Sequence, residues 1–103
     1  MRRLQAAVML IAIASFVRSA SAEDPPGKAA FGRACAACHG ADAMGKTGPS
    51  LVPMEREYLE VRGIVRDGRG EMPAISPADV SDEELMQIVA YLKKLSGAEK
   101  KGR

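Results

Sequence analysis

Three stretches of the chain place apolar residues at helical spacing, separated by two stretches rich in glycine and proline. Leu85, Ile88, Val89, Leu92 and Leu95 recur at i, i+3, i+4, i+7 and i+10, behind an S-x-x-E capping box made by Ser81 and Glu84. This predicts a helix starting after Ser81, with Lys93 and Lys94 in its last turn and a stop at Gly97. Residues 97–103 then form a flexible basic tail. Tyr58, Val61, Ile64 and Val65 make a second stripe, predicting a helix over Met54–Arg66 that Gly63 weakens and Asp67-Gly68 ends. Phe31, Ala34 and Cys35 share one face of a first helix over Pro26–Ala37, capped by Asp24, with a proline in its first turn. The stretches Gly40–Pro53 and Gly68–Val80 hold too much glycine and proline to be helical. No segment alternates as a strand does, so the expected class is all-α.

The N-terminus follows a different logic. Met1–Arg3 is basic, Leu4–Val17 is apolar apart from Gln5 and Ser15, and Ala20-Ser21-Ala22 offers small residues before Glu23-Asp24. That order predicts a secretory signal peptide over residues 1–22, cleaved after Ala22, leaving one domain over 23–103. The apolar run is shorter than the roughly 20 residues of a spanning helix, so a membrane association requires that this segment be retained as an anchor. Arg2-Arg3 lacks the flanking residues of a twin-arginine signal. Losing Arg2, Arg3 and Arg18 takes the formal net charge from +2 to −1. A near-neutral small domain gives no reason to expect nucleic-acid binding.

Composition exposes a shortage. The chain has two Phe, two Tyr and no Trp, and Phe16 lies in the leader. Phe31, Tyr58 and Tyr91 alone remain as large rings, a thin supply for the core of a domain this small. A bound planar group would fill the gap.

Cys35-Ala36-Ala37-Cys38-His39 reads C-x-x-C-H, the c-type haem attachment pattern. The two thiols add across the haem vinyls, and the next residue, His39, lies where its imidazole can bind the iron. A redox-active C-x-x-C belongs in a βαβ setting that is missing here. A disulfide between residues so close ties off little chain entropy. Zinc wants about four ligands, and the chain has no other Cys or His.

His39 is the sole histidine, so a second axial ligand within the chain must be of another kind, and methionine is the usual choice. Met44 is too near His39 in sequence to reach the opposite haem face. Met54 reads as core near a helix start, and Met86 as a packed helix residue. Met72 lies in the second irregular loop, stiffened by Pro73, and is the preferred ligand.

With C-A-A-C-H-G at Cys35–Gly40, T-G-P-S-L at Thr47–Leu51, R-D-G-R-G-E-M-P-A at Arg66–Ala74 and V-A-Y-L-K-K-L at Val89–Leu95, the sequence resembles the class I c-type cytochromes over almost all of 23–103. The resemblance implies a cytochrome c-like fold of three main helices wrapped around one covalent haem c. It also implies that the Pro49 carbonyl accepts a hydrogen bond from His39, which fixes the ring and raises its basicity. It supports Met72 as the sixth ligand and brings Gly27 and Phe31 against Tyr91 and Leu92. The segment Ile75–Val80, with its Ser76-Pro77 turn, departs from the family pattern.

The expected function is that of a periplasmic mono-haem carrier, passing single electrons between proteins such as an exported dehydrogenase, an oxidase or another cytochrome. It would act as a monomer or as part of a complex. The alternative is a dedicated electron-accepting subunit of an exported dehydrogenase, quinoprotein or sulfur-oxidising. A third possibility, an enzyme or gas sensor with an open iron, requires that Met72 not bind. No paired carboxylates, nucleophile–base pair or phosphate loop is evident, so the chain is not expected to be an enzyme. Lys28, Lys46 and Arg69 are candidates for a docking rim, against the ordinary reading of solvated charge.

Overall fold

The computed structural model describes residues 24–101. The expected leader, residues 1–22, lies outside them. Four helices follow in order: α1 Lys28–Ala34, α2 Ala36–His39, α3 Tyr58–Asp67 and α4 Asp82–Lys101. The described residues contain no strand, only an isolated antiparallel bridge between Arg69 and Met72. The fold is all-α.

The first helix differs from the sequence reading at both ends. It starts at Lys28 because Gly27 takes φ +92, a left-handed conformation that ends the helix backwards and suits glycine. Asp24 does not cap it; its carboxylate pairs with Lys28 Nζ at 3.1 Å. The helix breaks at Cys35, where φ is −122. Cys35 still donates to Phe31 O at 2.8 Å, and its own carbonyl receives the N–H groups of Cys38 and His39 at 3.2 and 3.0 Å. The break thus starts a fresh short turn that carries Cys38 and His39.

Helix α3 begins at Tyr58, four residues later than the apolar spacing suggested. The Met54 N–H is taken by Ser96 Oγ on α4 at 2.6 Å, and Glu57 is extended, so the segment before Tyr58 is committed to α4 rather than to its own helix. Ser96 in turn donates to Leu92 O at 2.7 Å, which accounts for a buried polar side chain on the packed face of α4. Gly68 ends α3 as expected, donating to Ile64 O at 2.8 Å.

The capping box forms in full: Glu84 N donates to Ser81 Oγ at 3.0 Å and Ser81 N to Glu84 Oε1 at 3.1 Å. Gly97 does not stop α4, which runs on to Lys101; glycine costs about 1 kcal/mol in a helix interior but does not break one. Lys93 is therefore not in the last turn, and it pairs with Glu57 at 2.9 Å instead.

Phe31, Leu85, Leu92 and Val80 are the largest fully buried side chains. The Phe31 and Tyr91 rings pack with centroids 5.9 Å apart, tilted by 51°. The backbone at Gly27 lies directly on Gln87 and Ile88, one turn before the expected Tyr91 and Leu92, so α1 crosses α4 at van der Waals contact of their backbones.

Candidate functional site

The break at Cys35 presents the thiols on different surroundings. Cys35 is half-buried and Cys38 exposed, and both are free. Burial pushes the Cys35 thiol up to about 11, with Arg33 pulling it slightly back.

His39 is buried at 8 % exposure at the end of α2. Its Nδ1 lies 2.8 Å from the Pro49 carbonyl oxygen. A carbonyl only accepts, so Nδ1 carries the proton of the neutral ring, and the Nε2 lone pair is left for a metal. The loop after α2 is folded back to make this contact. Gly48 N donates to Cys38 O, Gly45 N to His39 O at 2.8 Å, and Leu51 N to Ala43 O at 2.8 Å. A Cβ at Gly48 would meet His39 Cε1 and Nδ1 at 3.1 and 3.2 Å, so the glycine leaves room for the ring.

The methionines separate by environment. Met44 is 56 % exposed and Met86 is 54 % exposed, so Met86 is not the packed helix residue its position suggested. Met54 is buried, its backbone tied to Ser96. Met72 is half-buried in the irregular loop, and its own N–H and C=O are both paired with Arg69, at 2.9 and 3.0 Å. Gly68, at φ +77, lets the chain double back there; a Cβ would come within 2.9 Å of Met72 O and Ala74 N.

The donor set of two thiols, one oriented imidazole and a thioether suits an iron porphyrin. The packing agrees. Leu51, Val52, Tyr58, Val61, Met72, Ile75 and Leu95 touch the core yet stay only partly buried, apolar area of the kind a flat hydrophobic group would cover. Among the described residues no three His, Cys, Asp or Glu side chains converge as they would around zinc. When bound, the haem supplies an iron that alternates between ferrous and ferric and so carries one electron.

Lys28 is engaged with Asp24, while Lys46 and Arg69 are exposed. Sequence reading missed the arginines: Arg66 and Arg33 reach carbonyls in the Gly68–Val80 loop, and only their placement in three dimensions reveals it.

Comparison with known proteins agrees with this geometry. Residues 22–92 match the family described as "Cytochrome C oxidase, cbb3-type, subunit III". The chain is 32 % identical over 93 % of its length to the cbb3-type cytochrome c oxidase subunit CcoP of Rubrivivax gelatinosus, of which it covers 35 %. It is 33 % identical over 66 % of its length to cytochrome c-551 of Bacillus subtilis, covering 60 % of that protein. It is 35 % identical over 71 % of its length to the dihydro-heme d1 dehydrogenase of Pseudomonas aeruginosa, covering 16 %. No solved structure matches. With an all-α fold, a C-x-x-C-H turn and a match across most of its length, the chain belongs to this cytochrome c family, whose members are electron carriers with covalently bound haem c.

Proposed function

We propose that this chain is an exported mono-haem electron carrier of the periplasm, with thioethers at Cys35 and Cys38 and axial ligands His39 and Met72. The contact of His39 Nδ1 with Pro49 O carries the reading, because it directs the proton to one ring nitrogen and frees the other as a ligand. Met72 is the methionine that combines partial burial with a backbone held in an irregular loop, as a ligand facing a prosthetic group needs. Two strong ligands held by the same protein atoms in both oxidation states keep the rearrangement per electron small. Cys38 and Ala37 are exposed, so the edge of the group next to them would be open to partners. Docking there would be weak and transient, as a shuttle requires.

Export rests on the leader-like residues 1–22; among the described residues no helix is long and apolar enough to cross a membrane. The test is an optical spectrum of the purified mature protein, oxidised and reduced. A c-type spectrum with a long-wavelength thioether-to-ferric-iron band is expected, and Met72→Ala should remove that band and lower the potential. Loss of the band in Met54→Ala instead would overturn the ligand assignment.

A second reading, a dedicated subunit of a larger oxidoreductase, draws on the relatives of which this chain spans 35 % and 16 %. Co-purification of a stable complex with an exported dehydrogenase or oxidase favours it. A monomer reduced by several unrelated donors favours the shuttle.

A further inference from the structure

Arg66 stands out among the side chains that the electron-carrier reading does not use. It is the penultimate residue of α3, and its side chain is only 14 % exposed. Its Nη1 donates to Ile75 O at 3.0 Å, and its Nη2 donates to Val80 O at 2.8 Å and to Asp82 Oδ1 at 2.7 Å. Its Nε has no acceptor, the one buried side-chain polar atom so left among the described residues. Burying a guanidinium with an unpaired N–H is costly. An ion pair alone does not need that burial: Arg62 meets the same Asp82 at 3.2 and 3.3 Å from a side chain that is 45 % exposed.

The two carbonyls differ from the ion pair in what they control. Ile75 and Val80 bound the segment between Met72 and α4. Ile75 N also donates to Val65 O at 2.7 Å, so the last turn of α3 grips Ile75 on both its N–H and its C=O. Between the two grips, the segment closes on itself through Ser76 O, which receives Asp79 N and Val80 N at 3.0 and 3.1 Å. Upstream, Met72 pairs through its backbone with Arg69, an exposed residue two positions past the end of α3, and its side chain packs against the core. On its downstream side, the Met72 loop is tied to α3 at Ile75.

We propose that Arg66 is a positioning residue for Met72: by clamping the carbonyls of Ile75 and Val80 together, its guanidinium fixes the loop that presents the axial thioether. This rests on the reading of Met72 as the sixth ligand. A planar fork reaches both carbonyls at once, and a lysine ammonium in its place would give up at least one.

The experiment uses ferric holoprotein. The wild type is expected to show the thioether-to-iron band and Met72→Ala to lack it. In Arg66→Met the band weakens, and imidazole competes for the iron about tenfold or more tightly, the factor one lost charge-assisted hydrogen bond gives to a local opening equilibrium. Arg66→Lys falls between the two and serves where Arg66→Met fails to mature. Arg62→Gln, which loosens Asp82 but touches neither carbonyl, lowers the melting temperature and leaves band and imidazole affinity as in the wild type. A wild type without the band overturns the Met72 reading and this proposal with it. A normal wild type with unchanged band and imidazole affinity in Arg66→Met or Arg66→Lys overturns this proposal alone. So does an Arg62→Gln variant that loses the band as fully as Arg66→Met, since the effect would then run through Asp82.

Discussion

A methyl group at Gly48 would press on the His39 ring at 3.1 to 3.2 Å, closer than ordinary contact. The neighbour that must give way is the imidazole, whose Nδ1 is tied to Pro49. Gly48→Ala should therefore tilt the ring, at a cost of about 1–3 kcal/mol for an overpacked site. Ferric electron paramagnetic resonance should report a changed ligand field, with a lower melting temperature. Unchanged resonance values would show that the ring has more freedom than this packing allows. At the same scale, the residue types of the C-x-x-C-H turn were legible from sequence because covalent attachment demands them in that order. The roles of Arg33 and Arg66 were not, since an arginine in a helix reads as solvated charge until its carbonyl partners, far away in sequence, are placed beside it.

Among the elements, the crossing of α1 on α4 depends on the absence of a side chain at Gly27. A Cβ there would run into the Gln87 carbonyl, and the left-handed φ adds strain for any L-residue. Gly27→Ala should destabilise the holoprotein by at least about 2 kcal/mol in a thermal melt. The start of α4 carries a pH dependence. Hydrogen bonds from Arg66 and Arg62 hold the Asp82 carboxyl below its usual value of 3.8, and one from Arg33 lowers Glu84 in the same way. The unfolded chain then binds these protons first, so their contribution is present above about pH 4 and drains away as pH falls further. Asp82→Asn should lower the melting temperature at neutral pH, and the gap to wild type should narrow at about pH 3. A constant gap would mean that the carboxylate's charge contributes nothing. Periodicity located the start of α4 and its capping box correctly because those signals are local, while the stop expected at Gly97 did not occur. It misplaced the start of α3, since a long-range bond from Met54 to Ser96 overrides local preference there.

At the scale of the whole molecule, the deeply buried set is small, and further apolar side chains that pack against it stay partly exposed. Such a protein is expected to depend on its prosthetic group for much of its interior. Replacing both Cys35 and Cys38 by Ser should abolish covalent haem and leave a chain with little cooperative unfolding by far-ultraviolet circular dichroism. Native helicity and a sharp melt without haem would refute that dependence.

The order of residues alone determined the class of the fold, the attachment chemistry and the family likeness, because helical periodicity, capping and thioether spacing are properties of neighbours along the chain. Tertiary structure alone decided how closely α1 crosses α4, where α3 starts, and how the Ile75–Val80 segment is held. Each of these depends on groups brought together from distant positions: Gly27 on Gln87, Met54 on Ser96, Arg66 on Val80. No local pattern encodes such meetings, since their free energy appears only once the helices have packed.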